Sequence, residues 1–98
     1  MTYEWRPMLK WFMRSKVRRL ITDNPGKSSR EILKHADLSD STYMKHLEAM
    51  MSDGLIERVK TPVSEARVFR LTEKGLRALE LDTEILRAFR EIQGLCTG

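Results

Sequence analysis

Ser41, Thr42, Met44, Lys45 and His46 crowd into six consecutive positions of the run Ser39 to Leu55, SDSTYMKHLEAMMSDGL. Two hydroxyls, an ammonium, a thioether and an imidazole so close together suit hydrogen bonding and apolar contact with another surface. They do not suit bond making. His35 and His46 are eleven positions apart, with no cysteine and no second carboxylate motif beside them, which is not a metal-ligand pattern. The sequence holds no glycine-rich phosphate loop, nucleophile elbow or metalloprotease motif. Cys96 is the sole cysteine and has no basic neighbour to activate it. It excludes a disulfide framework and fits a reducing cytoplasm. No catalytic residue, metal or cofactor is assigned, and the chain reads as a binding protein rather than an enzyme.

The element that positions these residues is a helix over 40–53. Ser39 offers an N-cap oxygen, and Gly54 stands where a left-handed C-cap is needed. Tyr43, Leu47 and Met50 recur at i, i+4 and i+7 and form the packing face, with Met51 beside them and the Tyr43 hydroxyl at an edge. The other face carries Ser41, Thr42, Met44, Lys45, Glu48 and Ser52, with His46 and Ala49 at its margins. It is polar yet holds little charge, as a helix entering a nucleic-acid groove does. An ordinary solvated helix is the alternative.

The remaining elements follow in order. Pro7 suits a first helical turn, and Leu9, Phe12, Met13, Val17, Leu20 and Ile21 have helical spacing. Asp23-Asn24-Pro25-Gly26 ends that helix, because the residue before a proline avoids helical backbone. Ser28 and Glu31 form a capping box for a short helix carrying Ile32 and Leu33, and His35–Leu38 is a tight turn into the helix over 40–53. Ile56–Lys60 and Arg67–Leu71 alternate as strands around the loop Thr61–Glu65. Thr72 caps a last helix. Ala78, Ile85 and Ile92 repeat at seven, as do Leu81, Ala88 and Leu95, which is the pattern of a seam for a second helix. Gly94 and the tail after it are expected to fray.

Ninety-eight residues fit one domain. No apolar run is long enough to span a bilayer, and the N-terminus lacks a secretory pattern, so a cytoplasmic location is expected. The net charge of +4 is unevenly spread: +6 over residues 1–34, −4 over 35–57, +4 over 58–77 and −2 over 78–98. Two basic blocks flank an acidic middle. Such blocks suit an anionic partner such as a duplex backbone, although a high pI alone also produces them.

The joined pattern DLSDSTYMKHLEAMMSDG followed by LIERVKTPVSEARVFRLTEKG resembles the winged helix-turn-helix of transcription regulators, notably the MarR and ArsR families. The resemblance covers about residues 14–77 and rests on Ser39–Thr42, Lys45-His46-Leu47, Asp53-Gly54-Leu55-Ile56 and Arg70–Gly75. It implies an α+β, mainly helical fold: three helices, a two-stranded β-hairpin wing and a C-terminal helix. As one domain over 1–98, this divides into an N-terminal helix 1–23, a helix-turn-helix 28–53, a wing 55–71 and a dimerisation helix 72–93.

The resemblance also implies a sequence-specific double-stranded DNA-binding regulator, with the helix over 40–53 in the major groove. The expected DNA contacts are Ser41, Thr42, Met44, Lys45 and His46 on that helix, with Lys27, Ser28, Arg30, Lys60 and Arg67 around it. Arg14, Lys16, Arg18 and Arg19 are a reserve of phosphate contacts or a solvated face. The metal-sensing cysteine pairs of many ArsR proteins are missing. Glu65 and Arg67 have the spacing of the MarR wing, but Arg67 stands close to Leu71-Thr72, so the wing is short. Arg67 could equally pair with Glu57 across the hairpin. A homodimer is expected through Trp5, Met8, Trp11, Phe12, Leu81, Ile85, Ala88, Phe89 and Ile92, because so much apolar surface exceeds what one small chain covers. Asp40 and Glu48 lie on or near the reading face. Glu48 could accept from cytosine N4 but would repel nearby phosphate, and this acidity speaks for the alternative, a winged-helix module that binds protein rather than DNA.

Overall fold

The computed structural model describes residues 6–62 and 67–97. Trp5, assigned to the dimer face, and Glu65, assigned to the wing, lie outside the described residues. The described chain runs α1 Arg6–Asp23, α2 Ser29–Leu33, α3 Asp40–Ser52, β1 Ile56–Val59, β2 Val68–Leu71 and α4 Glu73–Thr97. None of the described helices is long and apolar enough to cross a membrane.

Local chemistry sets most boundaries. Asn24 closes α1, its amide and its side-chain Nδ2 both donating to the Leu20 carbonyl, and Gly26 turns the chain with φ +78°. Ser28 Oγ accepts from the Glu31 amide while the Glu31 carboxylate accepts from the Ser28 amide, the reciprocal capping box. Ser39 Oγ accepts from the Thr42 amide at 3.3 Å and opens α3. Gly54, at φ +74°, closes it.

β1 and β2 form one antiparallel pair in the register Ile56↔Leu71, Glu57↔Arg70, Arg58↔Phe69 and Val59↔Val68. Glu57 therefore meets Arg70, at 2.6 Å, and not Arg67. The wing is also tied back to the helices: Ser28 bridges to Val68, and the Ser29 amide donates to the Arg67 carbonyl at 2.7 Å. Covered by that bridge, Val68 is buried alongside Phe69, so β2 does not alternate as expected.

Val17, Ile21, Ile32, Tyr43, Leu47, Met50, Ile56 and Phe69 make the core. On α1 the buried face is turned away from the expected stripe. Leu9 and Phe12 are exposed, whereas Ser15 and Arg18 are buried beside Val17 and Ile21. The cause is α4. Arg18 donates to both Asp82 carboxylate oxygens, from Nε at 2.7 Å and Nη2 at 2.8 Å, and the Trp11 indole donates to the same carboxylate at 2.7 Å. Arg18 Nη1 also reaches Met50 Sδ of α3. At the other end, Thr72 donates to the Gly54 carbonyl and Lys74 to the Asp53 carbonyl, docking the start of α4 on the end of α3. Gly75 is required there, since a Cβ would lie 1.9 Å from the Leu55 carbonyl oxygen. α4 runs on through Gly94 to Thr97 rather than fraying at 93, because an isolated glycine weakens a helix without stopping it. Three helices, a hairpin wing and a last helix, so connected, are a winged helix-turn-helix.

Asp82→Asn should lower stability by about 3–5 kcal/mol, because it leaves the buried Arg18 guanidinium without a counter-charge. Urea unfolding measures this, and a midpoint equal to that of the wild type would exclude a structural role for the pair.

Candidate nucleic-acid interface

The outer face of α3 is set by what its inner face buries. Tyr43, Leu47 and Met50 are almost fully covered. At 3.6 residues per turn, Ser41, Lys45, Glu48 and Ser52 fall within about 60° of arc directly opposite them, and all four are exposed. This straight ridge is the surface that α3 can offer to a groove.

The expected reading residues divide on it. Ser41 and Lys45 stand on the ridge. Thr42 and Met44 lie at its flanks, half-buried; the Thr42 hydroxyl accepts from Ser39 Oγ at 2.8 Å, and Met44 packs against the core. His46 is not at the groove margin. It is buried on the side facing α1, where its Nδ1 accepts from Arg14 Nε at 3.3 Å. That correction follows from helix geometry: residue 46 is closer in angle to Met50 than to Lys45. Burial, with Arg14 and then Lys10 nearby, holds the His46 imidazole below its ordinary range. Tyr43 is a second correction. Its hydroxyl is buried with no partner among the described residues, not at an edge, and desolvation pushes it up to about 12.

At the base of the wing the structure gathers one basic group. The Ser29–Arg67 and Ser28–Val68 pairings set the start of α2 against the base of the wing. Lys27, Ser28 and Arg30 thereby join Arg67, and Lys60 follows directly after the last hairpin pair on the other strand. Lys27, Arg30, Lys60 and Arg67 are exposed. Lys27 also reaches the Glu31 carboxylate at 3.7 Å. Glu31 itself is held below the usual carboxylate range, first by the Ser28 amide and then by the Ser28 hydroxyl.

The reserve cations of α1 do not form a second patch. Arg18 is inside, paired with Asp82; Arg14 is occupied with His46; Lys16 lies 4.9 Å above the Phe12 ring. Arg19 turns to a cleft of about 360 Å³ between α1 and α4, lined also by Arg87 and Arg90. Of the expected dimer face, Met8, Phe12, Leu81, Ile85, Phe89 and Ile92 are exposed, as is Ala88. Trp11 is held within its own chain by the bond to Asp82. Glu48 and Ser52, expected on the outer face but not among the principal contacts, also stand on the ridge.

Residues 16–57 match the family model described as winged helix-turn-helix DNA-binding. No curated protein matches the chain. Among solved structures it is similar to the PcaV transcriptional regulator from Streptomyces coelicolor in complex with its natural ligand. There the TM-score is 0.72 at 24% identity, over 83% of this chain and 59% of that one. A second crystal structure of the PcaV regulator gives a TM-score of 0.68 at 26% identity, over 76% of this chain and 57% of PcaV. The chain thus spans less than two thirds of the PcaV regulator's length.

His46 supplies a pH dependence of known sign. The folded state prefers the neutral imidazole more than the unfolded chain does. Its contribution is complete above the ordinary value of 6.5 and is lost as pH falls below that. The thermal midpoint should therefore drop on acidification from about pH 7 to about pH 5, and His46→Gln should flatten the drop. Equal slopes for the two proteins would show that the imidazole is not buried neutral.

Proposed function

We propose, from the winged helix-turn-helix DNA-binding domain that this chain carries, that it is a sequence-specific transcription regulator acting as a homodimer in the cytoplasm. The observation that carries the reading is the exposed α3 ridge lying directly opposite the core, with an exposed basic cluster at the wing base beside α2. Lys27, Arg30, Lys60 and Arg67 supply phosphate contacts and hence most of the affinity. Ser28 is the N-cap of α2, and its role is to hold that helix start in place. Ser41 and Lys45 meet base edges, with Thr42 and Met44 at the sides of the groove. The protein works by binding and performs no bond chemistry.

The dimer reading rests on uncovered apolar surface. Ile85, Phe89 and Ile92 are 48%, 52% and 58% exposed along a helix of 25 residues, and Met8 and Phe12 add a second patch on α1. Single chains rarely leave so much contiguous apolar surface to water. Two copies joined along α4, with Leu81 and Ala88 in the seam, would present two α3 ridges to a pseudo-palindromic site. The domain is accordingly divided into a reading part, 28–71, and a dimerising part formed by α1 and α4.

Affinity for mixed-sequence duplex should fall steeply as salt is raised, since each neutralised phosphate releases counterions. Lys45→Ala should weaken binding to a selected site by about 1–3 kcal/mol while barely changing mixed-sequence binding. Absence of duplex binding at low salt would point instead to a protein-binding module. For the assembly, Ile85→Glu should convert the dimer to a monomer in sedimentation, and an unchanged mass would remove α4 from the interface.

A further inference from the structure

We propose that Glu48 is a specificity-determining residue that accepts a hydrogen bond from cytosine N4, so that the preferred duplex carries a C·G pair beneath the middle of α3. This rests on the major-groove reading of α3 and names the base that the helix selects.

The geometry puts Glu48 on the ridge, about midway along α3. With Ser41 taken as 0° and about 100° per residue, Glu48 stands at about −20°, nearer the centre than Thr42 or Met44. Its side chain is exposed, and among the described residues no cation pairs with it. Glu31 pairs with Lys27, Glu57 with Arg70 and Glu80 with Arg77; Glu48, like Asp40 at the start of the same helix, is exposed and belongs to none of these pairs. Lys45, one turn away on the same ridge, leaves Glu48 free.

A free carboxylate is a liability beside phosphates, because like charge costs affinity for every DNA sequence equally. It becomes favourable only where the groove presents an amino donor. In the major groove, cytosine N4 is the donor that a carboxylate matches, and Lys45 beside it matches guanine O6 and N7. Side chains at i and i+3 have Cβ atoms about 5–6 Å apart, or one to two base-pair steps. The ligand class that follows is a duplex in which a cytosine read by Glu48 lies within two steps of a guanine read by Lys45. On this reading Glu48 reduces affinity and raises discrimination.

The experiment selects bound duplexes from a random pool with the full chain as wild type, Glu48→Gln and Glu48→Ala, and titrates each against one mixed-sequence duplex. The wild type should enrich a cytosine near a guanine. Glu48→Gln should shift that position to adenine, whose N6 and N7 suit an amide, and Glu48→Ala should leave it unselected, a loss of roughly tenfold in preference. Both variants should bind mixed-sequence duplex several-fold more tightly. Because residue 48 is exposed, both should keep the wild-type unfolding midpoint, which excludes misfolding as the cause. An enriched site that is the same for all three proteins overturns the role of Glu48 alone. Failure of the wild type to enrich any sequence overturns both this role and the DNA-reading function.

Discussion

Arg18 and Asp82 meet inside the protein, from helices at opposite ends of the chain, and the arrangement of everything else depends on them. Both side chains are almost fully removed from water, and the two fork-like bonds at 2.7 and 2.8 Å compensate for that loss. Trp11 supplies a third donor to the same carboxylate. Such a pair adds little stability compared with a well-packed apolar alternative. What it contributes here is register: α4 can dock on α1 only where Asp82 reaches Arg18. The same guanidinium touches Met50, so the pair also bears on the rear of α3.

From that anchor α3 is positioned from both ends and from behind. Its start is capped by Ser39, its end is held through Gly54 and Asp53 to the first turn of α4, and its rear packs through Tyr43, Leu47 and Met50. The close approach at Gly75 makes that last junction tight. A helix held at this many points presents its outer ridge in one orientation. On the proposed function, affinity and choice are separated in space. The cations sit at the base of the wing, whereas the ridge itself carries one lysine and one glutamate.

Much of this was legible in the sequence because it is local. The caps Ser28, Ser39 and Thr72, the turns at Gly26 and Gly54, and the apolar spacing of Tyr43, Leu47 and Met50 are each decided within a few residues. The ridge opposite the core was equally open to inspection by helical angle. Reading His46 as a margin residue was an error of face, not of element. The joined order of helices and strands, rather than any single motif, carried the resemblance to winged-helix regulators, and the fold follows it.

What the sequence could not determine is every contact between residues far apart in the chain. Arg18 looked like its basic neighbours, and only packing against α4 made it an internal ion pair. Nothing around Ser28 signals a strand bridge to Val68, since a bridge is a property of two segments and neither encodes the other's position. The rotation of the buried face of α1, away from Leu9 and Phe12 toward Ser15 and Arg18, has the same origin. The sequence by itself determined the elements, most of their ends and the packing face of α3, because hydrogen bonding within a turn and the 3.6-residue period act over short distances. Only the tertiary structure decided which charges are hidden and which remain free, because burial depends on what the rest of the chain brings alongside.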